Sequence, residues 1–247
     1  MNWRLIRYSE NDAYMNMAID EAISESVAAG GPPTVRFYGW NPGAVSIGYF
    51  QSLEKEVDTG ACRKEGIDVV RRRTGGGAVF HDRAGEVTYS VTGSETLFPK
   101  DIIASYRLIC GWVIDSLSLL GIRSEFKPIN DIIVEGRKIS GNAQTRRGGV
   151  LLQHGTILCA VDVERMFRLL RVPDEKFRDK LISSAKERVT SVSEHSGASR
   201  AEVCEALERG FTSGKAFDHG QVTPEERTRA VELARSRYSS GGWNSSR

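Results

Sequence analysis

Three short runs carry residue types that can do chemistry on an anion. The first is Arg71-Arg72-Arg73-Thr74-Gly75-Gly76-Gly77-Ala78-Val79-Phe80-His81-Asp82. Three successive glycines let a backbone approach a ligand closely and present bare N–H groups as an anion nest. Arginines just ahead of them suit bidentate pairing with phosphate or carboxylate. No Gly-Lys-Ser/Thr follows and G-x-G-x-x-G is absent, so this is neither a Walker loop nor a dinucleotide fingerprint. The alternative is a glycine-rich hairpin with a solvated basic flank. The second run is Gly136-Arg137-Lys138-Ile139-Ser140-Gly141-Asn142-Ala143, with Asn130-Asp131 upstream. A strand lysine followed by small residues can hold an acyl or phosphate oxygen and stabilise developing negative charge. Otherwise Lys138 is an exposed cation on a sheet edge. The third run is Gln153-His154-Gly155-Thr156, whose imidazole suits a satisfied core position and an adenylate contact equally.

The elements that must position these runs are legible from periodicity. A helix is expected from about Asn11 to Ala29, with Met15, Ala18, Ile19, Ala22 and Ile23 on one face. Thr34–Tyr38 and Ala44–Phe50 read as strands around an Asn41-Pro42-Gly43 turn. The second of them, with Gly48 and Tyr49, suits one wall of a narrow apolar channel, with Trp40 or Tyr49 facing in; plain core is the other reading. Ile67–Arg72 is a further strand, and Ala78–His81 with Glu86–Val91 reads as a strand pair around the Asp82–Gly85 turn. A long helix is expected over about Lys100–Leu120, with Ile103, Tyr106, Ile109 (or Cys110), Val113 and Leu117 inward and Gly121 as its stop. Asp131–Val134, Arg137–Ile139 and Val150–Cys159 resume the strand pattern. The remainder reads as helical: Val161–Leu170, about Asp174–Ser184, and helices opened by capping patterns at Ser199 and Thr223. Strands and helices mix without strict alternation, which favours an α+β fold over a doubly wound one. The expected division is a catalytic domain over 1–195 and a helical tail, 196–247, packed on it.

Composition excludes several classes. The 247 residues are 40% hydrophobic and 27% charged, as in an ordinary globular chain. A net charge of +2 on 34 basic and 32 acidic residues gives no electrostatic case for nucleic acid. No run is long and apolar enough for a membrane span, and Met1–Arg7 lacks a signal-peptide core, so a cytoplasmic location is expected. Cys62, Cys110, Cys159 and Cys204 are scattered, with no C-x-x-C pair, and the histidines show no H-E-x-x-H spacing.

Taken in order, these segments resemble the lipoate–protein ligase family. The resemblance rests on R-R-x-T-G-G-G-A-V-F-H-D at Arg71–Asp82, N-D at Asn130–Asp131, G-R-K-I-S-G-N-A at Gly136–Ala143 and H-G-T at His154–Thr156. Arg36-Phe37-Tyr38, Ser46–Gln51, Val172–Phe177 and Arg188-Val189-Thr190 also fit, so it extends from the first helix to about Val192. It implies the fold of biotin and lipoate ligases, a curved mixed β-sheet flanked by helices. It also implies two steps: lipoic acid and ATP with Mg2+ form lipoyl-AMP, and a lysine of an acceptor domain then displaces AMP. The implied acceptor is the lipoyl domain of a 2-oxoacid dehydrogenase E2 or the glycine cleavage H protein. Carried onto this chain, Lys138 is the catalytic candidate, an electrostatic stabiliser and not a nucleophile. Arg72 and Gly75, Gly76 and Gly77 would form the lipoyl-adenylate loop, with Val79 and His81 beside it. Asn130, Ser140, Gly141, His154, Thr156, Gly48 and Tyr49 join the binding set, and Asp131 would contact Mg2+ or the adenylate. Family members that complete both steps alone carry an additional C-terminal domain for which this length leaves no room, so a separate accessory subunit is expected.

Three rival activities share parts of this pattern. An octanoyltransferase on the same fold moves an acyl chain from acyl carrier protein through a cysteine thioester. One such class keeps its cysteine shortly before the strand leading into G-R-K. Here Gly121–Gly136 contains no cysteine and reads Phe126-Lys127-Pro128-Ile129-Asn130-Asp131, the ligase-like version. Cys159 is expected to be a buried small hydrophobe. A biotin ligase would show a G-R-G-R-x-x-x-x-R type loop, which is absent. A non-catalytic lipoyl-binding relic would have no use for Lys138.

Overall fold

Alternation of side chains along the strands builds a sheet that is buried on both faces but polar on one of them. The structure, a computed structural model, describes residues 2–171 and 178–247. The Val172–Phe177 run and the start of the helix expected at Asp174 lie outside the described residues. The strands are β1 (Trp3–Asn11), β2 (Thr34–Trp40), β3 (Ala44–Ile47), β4 (Asp68–Arg71), β5 (Val79–His81), β6 (Glu86–Ser94), β7 (Glu125–Lys127), β8 (Asp131–Val134), β9 (Arg137–Arg147), β10 (Val150–Leu158) and β11 (Phe217–Gly220). The helices are α1 (Ala13–Ala28), α2 (Leu53–Glu56), α3 (Thr59–Lys64), α4 (Ile102–Ser118), α5 (Val163–Leu169), α6 (Arg178–Arg188), α7 (Val192–His195), α8 (Arg200–Thr212), α9 (Pro224–Leu233) and α10 (Gly241–Asn244). Eight form one mixed sheet in the order β11-β1-β2-β6-β10-β9-β8-β7, and three form a small sheet, β4-β3-β5. The fold is therefore α+β, as the mixture of elements implied.

On one face of the large sheet, Val35, Phe37, Val87, Tyr89, Val91, Leu151 and Ile157 are buried. They pack on Ile109, Cys110, Val113 and Leu117 of helix α4 (Ile102–Ser118) and on Val203, Leu207 and Phe211 of helix α8 (Arg200–Thr212). The intervening residues Arg36, Glu86, Thr88, Ser90, Thr92 and His154 turn to the other face and are also buried. They meet helix α1 (Ala13–Ala28) and the site described below. Burial of so many polar groups requires partners for each, and α1 supplies Asn16 and Asp20.

Several expectations change. Helix α1 starts at Ala13 because the Asp12 side chain caps it, accepting from Met15 N at 2.7 Å, and the residues up to Asn11 complete β1. Ile103 is 41% exposed, so the buried face of α4 begins at Ser105 and Tyr106 instead. β5 and β6 are not a hairpin. β5 pairs with β3 in the small sheet and β6 joins the large one, so Asp82–Gly85 crosses between sheets. The strand expected over Ala44–Phe50 stops at Ile47, and the one at Arg137 runs on to Arg147.

The C-terminal region is not purely helical. β11 adds in parallel to β1, pairing Trp3 with Phe217 and Ile6 with Gly220. Helix α9 (Pro224–Leu233) lies along α1, and Glu226 binds Arg4 through both carboxylate oxygens at 2.7 and 2.8 Å. Helix α10 (Gly241–Asn244) then reaches the end of β4: Asn244 Oδ1 accepts from Arg71 N at 2.7 Å, and Trp243 Nε1 donates to Arg71 O at 2.9 Å. Among the described residues no helix is long and apolar enough to cross a membrane.

Candidate active site

The small sheet and the polar face of the large one enclose a cavity of about 310 Å³. Its walls include Trp40, Ser46, Arg72, Gly76, Gly77, Val79, His81, Asn130, Lys138, Gly141, His154 and Thr156, with Leu158, Val161 and Met166 adding apolar surface. All three chemically suggestive runs therefore converge on one space. Gly75, Asp131 and Ser140 lie next to lining residues without lining the cavity themselves. Ser140 is fully buried within β9, and its hydroxyl has no partner among the described residues. Gly48 and Tyr49 are not on the wall. Gly48 sits beneath the glycine loop, and Tyr49 faces outward, stacked between the guanidinium groups of Arg147 and Arg247. Of the two aromatic candidates for the channel, Trp40 takes the role because β3 ends before Tyr49.

The three arginines are already engaged. Arg72 uses all five of its N–H groups: Nε to Thr74 Oγ1, Nη1 to Ser46 O and Oγ, and Nη2 to Gly75 O and Gly77 O, at 2.7–3.1 Å. Burial pushes its pKa down to about 10, still a cation at neutral pH. Arg71 donates to the carbonyls of Gly48, Tyr49, Gln51, Trp243 and Asn244, and Arg73 pairs with Glu21 at 3.0 Å. The bidentate grip on a ligand expected of Arg72 is therefore redirected to the loop itself. A trans peptide points its C=O and the following N–H in opposite directions. Pulling the carbonyls of Gly75 and Gly77 onto Arg72 turns the N–H groups of Gly76 and Ala78 the other way. The nest survives with the arginine as its foundation.

Lys138 has a different setting. The pairing of Asp131 with Gly141 across β8 and β9, with an irregularity at Ile132/Ile133, brings the lysine back over its neighbours. Its Nζ lies 2.7 Å from Asp131 Oδ1, with the two side chains 41% and 33% exposed. A Cβ at Gly141 would stand 2.7 Å from that same Nζ, so the glycine makes room for the ammonium. Asn130 and Asn142 hold the preceding loop to β9 through Asn142 N and Nδ2, which both donate to Asn130 O, and Asn130 Nδ2, which donates to Asn142 O. Thr190 N donates to Lys138 O at 2.8 Å, which ties the Arg188-Val189-Thr190 run to the lysine's backbone.

His154 proves to be both buried and on the wall. Nε2 pairs with Thr74 Oγ1 at 2.7 Å, and Nδ1 is 3.5 Å from Asp20 Oδ2. Burial lowers its pKa from 6.5, so it is neutral at pH 7. The unfolded chain then takes up a proton near pH 6.5 that the folded chain refuses, and stability falls as pH drops below that value. Urea unfolding at pH 7 and pH 5 should show a drop in midpoint for wild type and a smaller one for His154→Gln; equal drops would exonerate His154.

The candidate set left out Asp20, Glu86, Ser46 and Asn142, although Asn142 lies in the Gly136–Ala143 run and Ser46 in Ser46–Gln51. Asp20, 2% exposed, receives Arg36, Tyr38 and Ser90 at 2.9–3.0 Å. A signal was available: Glu86-Val87-Thr88-Tyr89-Ser90-Val91 alternates polar with apolar, and Asp20 interrupts an apolar helix face. No cysteine lines the cavity. Cys62, Cys110, Cys159 and Cys204 have thiols pushed up by burial to about 11, 12, 12 and 11.

The chain is similar to known proteins over nearly its whole length. A family model described as the lipoyl protein ligase A/B catalytic domain matches residues 12–212. An octanoyltransferase LipM of Geobacillus kaustophilus (strain HTA426) is 38% identical, covering 98% of this chain and 97% of its own. A solved structure of a bi-partite lipoate protein ligase and its E2 lipoyl domain from Thermoplasma acidophilum superimposes with a TM-score of 0.90 at 38% identity, over 99% of this chain and 96% of that one. A lipoate-protein ligase A bound with ATP gives 0.85 at 35%, over 99% and 98%.

Proposed function

Since the chain belongs to the lipoyl protein ligase A/B catalytic domain family, we propose that it transfers a lipoyl chain to an acceptor-domain lysine through lipoyl-AMP made from lipoate and ATP. One observation favours this over a thioester route. The cavity is lined by an ammonium, Lys138, and by no thiol; Cys62 and Cys110 are buried, Cys159 and Cys204 half-buried, and burial pushes all four thiols up, away from the nucleophilic thiolate. The octanoyltransferase relatives support acyl-chain transfer as the general activity. The ligase structures support lipoate and ATP as substrates.

The residues divide the work as follows. Trp40, Val79, Leu158 and Met166 give the acyl chain an apolar wall. Lys138 stands where negative charge develops on the carboxylate, the phosphate and later the tetrahedral oxygen, and Asp131 orients it. The neutral acceptor amine attacks the acyl carbonyl, the C–O bond to phosphate breaks, AMP leaves with that electron pair, and the nitrogen sheds one proton to solvent as the amide forms. The Mg2+ role expected of Asp131 does not fit its surroundings. Its Oδ1 is 2.7 Å from the Lys138 ammonium, whose charge repels a second cation at that carboxylate. No step is assigned to a protein-held metal ion.

The decisive experiment supplies ATP, Mg2+, lipoate and a lipoyl domain of E2 or an H protein, with and without a companion accessory chain. AMP release with a lipoyl mass shift on the acceptor is expected; neither product under any combination would sink the reading. Octanoyl carrier protein giving an acyl-cysteine would establish the thioester route instead. Cys62→Ala and Cys159→Ala should each keep activity within about twofold of wild type, since neither thiol meets the cavity. An acyl adduct on either one, seen by mass spectrometry, would count against the adenylate route.

A further inference from the structure

Behind the glycine loop the buried polar groups form a continuous chain that the reaction above does not use. Glu86 Oε1 lies 2.7 Å from His81 Nδ1, and His81 Nε2 lies 2.8 Å from Ser46 Oγ. Ser46 Oγ in turn accepts from Arg72 Nη1 at 3.1 Å. The four residues are 1%, 4%, 1% and 5% exposed. The chain is braced from the side: Thr88 Oγ1 donates to the same Glu86 oxygen at 2.6 Å and accepts from Trp40 Nε1 at 2.8 Å, while the Trp40 ring stacks on His81 at 4.0 Å.

A carboxylate beside Nδ1 keeps a proton on that nitrogen and leaves Nε2 as an acceptor. The Ser46 hydroxyl then donates to Nε2, and its oxygen is free to receive Arg72. Arg72 is thereby fixed at the one contact that is not a loop atom or a strand carbonyl. Its other donors hold Thr74, Gly75 and Gly77. Resting on the function argued above, we propose that Glu86, His81 and Ser46 are positioning residues, which set Arg72 and through it aim the amides of the glycine loop at the reacting acyl-phosphate.

The spacing also matches the acid, base and hydroxyl of a serine nucleophile. Burial argues against that role. Ser46 sits inside β3, paired on both sides, and its oxygen already takes an N–H from a cation. A positioning relay and a nucleophile differ in what their variants do.

The test uses Ser46→Ala, Glu86→Ala, the double variant, and the conservative Ser46→Thr and Glu86→Gln. Each alanine variant should lower kcat for AMP release about tenfold with KM for lipoate nearly unchanged, and the double should lose no more than the worse single, because both act through Arg72. The conservative variants should recover to within about threefold of wild type, since each keeps the hydrogen bond. Losses that multiply in the double, or that follow only the folded fraction, would overturn the relay. An acyl group found on Ser46 would overturn it in favour of a nucleophile. Amide exchange over residues 72–80 reads the loop without any substrate. It should quicken in both alanine variants, and unchanged exchange there would also overturn the proposal. If wild type is inactive with every acyl donor, the functional reading fails while loop exchange still decides the relay.

Discussion

Lys138→Ala should reduce AMP release and lipoyl transfer by about a hundredfold to a thousandfold, the usual cost of removing one preorganised charge donor. Thermal stability should hardly change. The side chain is 41% exposed and its partner Asp131 is 33% exposed, and an ion pair so open to water contributes under about 1 kcal/mol. The two effects separate the charge's role in reaction from any role in folding. A steady-state assay beside a melting curve checks both, and activity within a few-fold of wild type would remove Lys138 from the mechanism. Its neighbour Gly141 makes a related point. That residue belongs to the site because it leaves space for the lysine, with no need to touch a ligand.

Gly48→Ala should be nearly as damaging, for a steric reason. A Cβ there would stand 2.0 Å from Gly76 O and 3.0 Å from Gly76 C, both backbone atoms with no rotamer to escape into. The loop would have to lift, breaking the bonds from Arg72 to Gly75 O and Gly77 O. A loss of about 2–4 kcal/mol in stability is expected from overpacking with unpaired buried groups. Activity should fall at least about tenfold, as the amides lose their aim. Gly75→Ala is the control. A Cβ at that position meets nothing within 4 Å, so stability should stay close to wild type. Equal behaviour of the two variants would show that the glycine run tolerates displacement.

The helices and most strands were legible because their signals are local. Asp101 caps α4 and Gly121 closes it at φ +76°, and both are visible in the sequence. Ser199 and Thr223 open α8 and α9 with full capping boxes. What stayed hidden is pairing. Phe217–Gly220 is short and exposed, with no alternation to mark it, and becomes a strand only because β1 offers a free edge. The same holds for β5 and β6: a turn-like Asp82–Gly85 segment says nothing about which sheet each flanking strand will join.

By itself the sequence picked out part of the cavity's lining. Arg72, Gly76, Gly77, His81, Lys138 and His154 stand in motifs whose residue types are suited to anions, and they line one cavity. Tertiary structure decided what each does there. Three arginines beside three glycines suggest a cationic grip on a ligand, yet Arg71 and Arg72 spend most of their donors on backbone carbonyls, some of them more than 170 residues away in sequence. Hydrogen-bond capacity is finite, and a buried guanidinium must satisfy its N–H groups before a ligand arrives. Lys138, 41% exposed and paired among the described residues with Asp131, is the cation that the proposed reaction leaves to meet the substrate.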